Sequence, residues 1–256
     1  MKTSIDAESL GTLQEPGEVV RAAAKLGVEG VAWPMAPGGA WSDDSPHEAW
    51  LELRRSAEAS AISISTVRVS CNQGVNLLSD EQLHRQEAVS RLCSAIERAH
   101  LCGALTLLLD PVGDKLPNEL SAGRSFETGL ARLLEGLRLL RFRTMPFGVH
   151  LACRLISDRW IATPTEARRY MDEVNSPFVG IYLDLSERCV AGREIEWISA
   201  LGHRIFWIDT AVRGMDEAAV HDALRGIRYD GWVNARMAGE PSAAVRHLAA
   251  LAGRPV

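Results

Sequence analysis

Short apolar runs of five to eight residues alternate with stretches in which apolar positions recur every three or four residues, from one end of the chain to the other. The short runs read as β-strands and the periodic stretches as amphipathic helices, because a strand alternates its faces every two residues and a helix every 3.6. The runs are Lys2 to Asp6, GVAWP ending at Pro34, ISISTVRV from Ile62, ALTLLLD ending at Asp110 and GVHLACR ending at Arg154. VGIYLDL from Val179, RIFWIDT from Arg204 and GWVNARM from Gly231 complete a set of eight. Between them, Glu15 to Leu26 is amphipathic, and Ala88, Leu92, Ala95, Ile96 and Ala99 form one helical stripe, as do Leu130, Leu133, Leu134 and Leu137.

Two helix starts carry a capping box with an early proline, Ser45-Pro46-His47-Glu48 and Thr163-Pro164-Thr165-Glu166, each just beyond a strand end. Eight strands each followed by a helix, in about 250 residues, predict an α/β protein built as a single (β/α)8 TIM barrel over residues 1–256. An open doubly wound sheet is the alternative. Against it, no G-x-G-x-x-G follows the first strand and no P-loop occurs anywhere.

Composition narrows the class. The 256 residues are 46% hydrophobic and 24% charged, enough for an ample core, and the net charge of −5 gives no attraction for nucleic acid. Only Lys2, Lys25 and Lys115 among the 28 basic residues are lysines. The five cysteines, Cys71, Cys93, Cys102, Cys153 and Cys189, form no C-x-x-C pair and read as reduced residues. No stretch approaches the roughly 18 apolar residues of a membrane span, and the N-terminus lacks a signal-peptide pattern, so a cytoplasmic protein is expected.

In such a barrel the chemistry sits at the C-terminal ends of the strands. The last inward positions are Asp6, Trp33, Arg68 or Ser70, Asp110, Arg154, Asp184, the pair Asp209-Thr210, and Arg236. That set is polar and mixed in charge.

The segments KLGVEGVAW, ERAHLCGALTLLLDPVG, MPFGVHLACR, TPTEARRYMDEVNSPFVGIYLDLSER and YDGWVNARM together resemble the xylose-isomerase-like barrels, which include sugar and sugar-phosphate isomerases and epimerases and an AP-endonuclease branch. The approach Pro177-Phe178-Val179-Gly180 to a strand ending in Asp184 is the most specific element. The resemblance implies a divalent metal held by a Glu, an Asp, a His and a Glu. Those positions fall on Arg154, Asp184, the vicinity of Phe206, and Arg236, so only Asp184 matches. Two histidines that the resemblance implies fall on Glu187 and Asp110. Arginine has no lone pair to donate, and at an effective dielectric near 20 and ~5 Å each guanidinium would repel a divalent ion by several kcal/mol. No metal and no other cofactor is therefore expected.

Arg154 and Arg236 can be read as two forks converging on the anion of a small ligand, or as partners of Asp184, Asp110 or Glu187. Asp184 is a candidate general base and Glu187, which looks less tied to arginine, the better one; Asp110 and Arg68 complete the expected ligand contacts. Trp33 and Trp41, flanking the loop APGGAW, are candidate sugar-stacking surfaces, whereas Trp207 is expected to pack outward under a helix. The resulting expectation is a sugar isomerase/epimerase-like barrel that binds a small, polyhydroxylated and anionic ligand at a degenerate site. The alternative is an inactive barrel that serves as a binding or scaffold protein. Expected partners are that small molecule and at most a second copy in a homodimer, with neither nucleic acid nor membrane among them.

Overall fold

A computed structural model describes residues 1–36, 38–70, 76–111, 126–157, 160–211, 214–236 and 241–254. Cys71, Lys115, Met237 at the end of the eighth run and Pro37 of the APGGAW loop lie outside these residues. Eight parallel strands close into a barrel in chain order: β1 (Lys2–Asp6), β2 (Gly30–Met35), β3 (Ser63–Ser70), β4 (Thr106–Asp110), β5 (His150–Cys153), β6 (Val179–Asp184), β7 (Ile205–Ala211) and β8 (Trp232–Arg236). The ring closes where Thr3 and Ser4 pair with Val233 and Asn234. Outside it lie α1 (Pro16–Leu26), α2 (His47–Ala59), α3 (Gln82–Leu101), α4 (Phe126–Phe147), α5 (Pro164–Val174), α6 (Glu194–Leu201), α7 (Glu217–Gly226) and α8 (Pro241–Leu251). Each strand is thus followed by one helix, which covers the outer face of the sheet while the barrel interior closes the inner one.

Alternation along the strands separates two apolar compartments. Residues such as Ile5, Val31, Leu107, Leu109, Leu151, Leu183 and Ile208 face outward and join the helices in the main core. Ala32, Leu108, Ala152, Tyr182 and Trp207 form a separate cluster inside the barrel, with Phe206 and Trp232 against it. Trp207 is therefore inside, not under a helix. The cause is a bulge: Ile181 pairs with Ile205 but Tyr182 pairs with Trp207, which leaves Phe206 as an extra residue and turns both aromatic rings inward. A second bulge inserts Ser65 in β3 opposite Val31 and Ala32.

The caps fare differently. Thr163 caps α5, its hydroxyl accepting from the Glu166 amide and donating to the Glu166 carboxylate at 2.6 Å, with Pro164 at the first helical position. Ser45 does not cap α2. Its hydroxyl donates to the Ser42 carbonyl at 2.6 Å and accepts from the Trp50 indole at 2.8 Å, so it ties the β2–α2 loop to the helix instead. Cys93, Cys102, Cys153 and Cys189 are free thiols, and burial pushes the Cys102 thiol up to about 12. Among the described residues no helix is long and apolar enough to cross a membrane.

The lower interior is filled from two sides at glycines. A Cβ at Gly180 would stand 2.6 Å from the Phe206 ring and 2.7 Å from the Arg204 carbonyl, and one at Gly30 would stand 2.6 Å from the Trp232 ring. Gly180→Ala is expected to cost about 1–3 kcal/mol of stability, because the carbonyl cannot yield as a side-chain tip could. Urea unfolding checks this, and an unchanged midpoint would refute it.

Candidate functional site

At the C-terminal rim the strand ends bring Asp6, Arg68, Asp110, Arg154, Asp184, Asp209 and Arg236 together, with Glu187 supplied by the turn after β6. Each of the strand-end residues lies two positions beyond an inward residue of the layer below, so the period of the strand alone aims it into the mouth.

Two connected ion-pair groups result. In the first, Arg154 donates to Asp110 at 2.9 Å and to Glu187, and its guanidinium lies 3.5 Å from Asp184. In the second, Asp209 accepts from Arg68 at 3.2 Å, Arg236 at 2.8 Å, Trp207 at 2.7 Å, Asn234 at 3.1 Å and from the Tyr182 hydroxyl. Arg68 and Asn234 also donate to Asp6, each at 3.1 Å. Arg236 joins the groups: its guanidinium lies 3.2 Å from Asp184, and it donates to the Tyr182 hydroxyl at 2.8 Å.

Burial makes this arrangement consequential. Asp209 has no exposed surface and Asp184 has 2%. Burial alone would raise the Asp209 carboxyl, but Arg68, Arg236 and the hydrogen bonds from Tyr182 and Trp207 outweigh it and hold the group below its usual range. Burial pushes the Asp6 carboxyl up; Arg68 opposes this and the charge on Asp209 adds to it. Burial and the Asp209 charge raise the Tyr182 hydroxyl well above its ordinary value, so Tyr182 stays neutral and donates. Although burial disfavours their charge, Arg68, Arg154 and Arg236 are shifted further upward by the carboxylates around them.

The expected site residues divide two ways. Arg154, Arg236, Asp110, Asp184, Glu187 and Arg68 do converge on one mouth. Trp33 does not: it is fully buried on the outer face of β2, edge-on to Trp41 at 5.1 Å, and Trp41 in turn meets Trp50 at 4.9 Å. The Trp41 indole donates to the Leu13 carbonyl, so both rings staple a loop to the sheet exterior and neither can stack on a ligand. Glu187 is not free of arginine either, since Arg154 donates to it. One Asp184 oxygen accepts from the Ser186 amide and hydroxyl while the other faces two guanidinium groups, which leaves little lone-pair density for proton abstraction.

The residues left out of that set are Asp6, Asp209, Tyr182 and Asn234. Asp6 and Asp209 stand at strand ends, and Tyr182 and Asn234 lie two residues before Asp184 and Arg236, so period-two alternation was the signal for all four.

The donor set does not fit a divalent ion. The Asp184 oxygen that would have to ligate it is already 3.2 and 3.5 Å from two guanidinium groups, and no group of three or more His, Cys, Asp or Glu suited to a metal occurs among the described residues.

The sequence profile of the xylose isomerase-like TIM barrel family matches residues 20–252, and the chain belongs to that family. No curated protein matches the sequence. Among solved structures, a D-psicose 3-epimerase crystallised in the presence of D-fructose superposes with a TM-score of 0.80 at 18% identity, covering 96% of this chain and 90% of the other. A 3-keto-D-glucoside 4-epimerase from E. coli gives 0.79 at 15% identity, covering 98% of both chains. An AP endonuclease of family 2 from Brucella melitensis gives 0.73 at 16% identity, covering 95% and 96%. At these identities the superpositions speak for the fold.

Two outcomes are expected. Asp209→Ala leaves the guanidinium groups of Arg68 and Arg236 short of a buried partner and should cost on the order of 3–5 kcal/mol in urea unfolding, whereas Ala at an exposed carboxylate costs under about 0.5. Because the Asp6 carboxyl is raised, its contribution is fully present below the unfolded pKa and is lost as pH rises through the folded one. The stability of wild type relative to Asp6→Asn should therefore fall as pH rises above the ordinary carboxylate value of 3.8. A flat difference would contradict the assignment.

Proposed function

We propose that this chain is a metal-independent member of its family that binds a small polyhydroxylated, sugar-like molecule over the guanidinium–carboxylate lattice at the barrel mouth. One observation carries the reading: Arg154 stands where the family resemblance implies a metal-binding glutamate, and the groups that hold it, Asp110 and Glu187, stand where it implies histidines. Replacements that bond to one another describe a rebuilt site, in which donors and acceptors lie side by side as a polyol needs. Five carboxylates against three guanidinium groups give the described rim a formal charge of −2. That balance supports recognition through hydroxyl groups more than through an anion, because each guanidinium already faces a carboxylate. It also disfavours nucleic acid.

Glu187, with one oxygen on Arg154 and its side chain 17% exposed, is the carboxylate placed to meet a ligand hydroxyl or accept a proton from it. Arg236, the most open of the three arginines at 36%, would orient a carbonyl or hydroxyl oxygen.

The test is thermal unfolding against a panel of ketoses, aldoses, sugar acids and sugar phosphates, with EDTA and with added Mn2+. At about 100-fold excess over Kd a ligand should raise Tm by at least about 5 °C, equally in both conditions, and Glu187→Gln should reduce the shift. A panel without any shift, or a shift that requires Mn2+, would overturn the proposal.

A further inference from the structure

The opposite end of the barrel holds a second concavity that the strand-end chemistry does not use. A cavity of about 450 Å3 opens at the N-terminal ends of the strands, where Lys2, Thr106, His150, Ile205 and Trp232, the first residues of β1, β4, β5, β7 and β8, line it. That volume lies within the range of small-molecule sites. Its position is unusual, because this face of a (β/α)8 barrel ordinarily serves stability.

The lining is aromatic and cationic. Phe206 and Trp232 reach the interior across the space left by Gly180 and Gly30, and both are only half-buried. His150 stacks on Phe178 at 5.2 Å and meets Phe206 edge-on at 5.2 Å. Among the described residues its ring nitrogens have no hydrogen-bond partner. Tyr229 closes one side, its hydroxyl fixed on the Trp232 carbonyl at 2.8 Å.

The Lys2 ammonium sits 5.3 Å from the Trp232 ring centroid, and Arg228 and His203 add further cationic or ionisable groups at the rim. Lys2 and Arg228 have no ion-pair partner among the described residues, in contrast to the saturated guanidinium groups of the other mouth. Asp230 is the one carboxylate among the described lining residues, so the cavity is net positive in a chain of net charge −5.

We propose that this cavity is a second binding site, for a small planar aromatic anion whose ring lies against Trp232 and Phe206 and whose charge meets Lys2 and Arg228. Aromatic faces favour a flat π-system, and unpaired cations beside them favour a negative substituent. A bare inorganic anion would leave the ring surfaces unused; a neutral aromatic would leave the cations unused.

Isothermal titration of the full chain with phenyl phosphate tests this, with inorganic phosphate as the comparison. Arg228 adopts φ +56°, a left-handed conformation that glycine accepts without strain, so Arg228→Gly removes the charge while keeping the backbone. Phenyl phosphate should bind at least about tenfold more tightly than inorganic phosphate, and Arg228→Gly and Lys2→Gln/Arg228→Gly should each weaken it, the double variant by about tenfold or more. Arg236→Ala, at the other mouth, should leave its affinity unchanged. Absence of binding, equal affinity for inorganic phosphate, full affinity in the double variant, or loss in Arg236→Ala would each overturn the proposal. The outcome is independent of the sugar panel, since the two sites lie at opposite ends of the barrel.

Discussion

A guanidinium group pointing into a barrel must find its counter-charge within the barrel, and that requirement organises the C-terminal mouth. Asp209 meets it for Arg68 and Arg236, and thereby joins β3, β7 and β8, with β6 drawn in through Tyr182 and β1 through Asn234 and Asp6. At an effective dielectric near 20, a pair at ~3 Å gains about 5 kcal/mol, and desolvation of each partner removes several kcal/mol. The assembled lattice is therefore close to neutral in stability, while any one member removed alone is expensive. What it contributes is orientation: rim side chains are held inward by partners on other strands instead of relaxing toward water.

The same accounting explains why the two ends of the barrel differ. At the C-terminal end carboxylates outnumber arginines and every guanidinium faces at least one of them. At the N-terminal end Lys2 lies over the Trp232 ring and Arg228 lines the same cavity, and the interior beneath is closed by Phe206 and Trp232. The bulge at Phe206 produces this floor, since without the extra residue only one of Phe206 and Trp207 could face inward. One inserted residue thus supplies both an indole donor to Asp209 above and an aromatic wall below.

The fold was legible from periodicity because its signal is repeated eight times, and an error in one element leaves seven others to correct it. The inward charges were legible for the same reason: Asp184 and Arg236 end β6 and β8, and Arg154 directly follows β5. Trp33 and Trp207 were misplaced because aromatic residues suit either face of a barrel strand. For Trp207 the deciding feature, a bulge, is set by the pairing of two strands and has no mark in either alone. For Ser45 the composition of a capping box was present, but the Ser42 carbonyl and the Trp50 indole compete for the hydroxyl that the helix amide would have used. Pairings such as Arg154 with Glu187 depend on which lone pairs are near, information that only the closed ring supplies.

Those pairings also bear on how such a site can arise within the family. Exchanging a metal-binding glutamate for arginine changes the local charge by two units, and leaving the rest of a metal site intact would bury an unmatched cation at a cost of several kcal/mol. In this chain carboxylates stand at Asp110 and Glu187, where the resemblance implies imidazoles, and both bond the guanidinium of Arg154. The second arginine, Arg236, leans on Asp184, the one implied ligand that persists, and on Asp209. Carboxylates thus stand within hydrogen-bond reach of each of the three arginines. The charge pattern is that of a polar, ordered mouth, open to solvent at Arg236, in which every guanidinium faces a carboxylate.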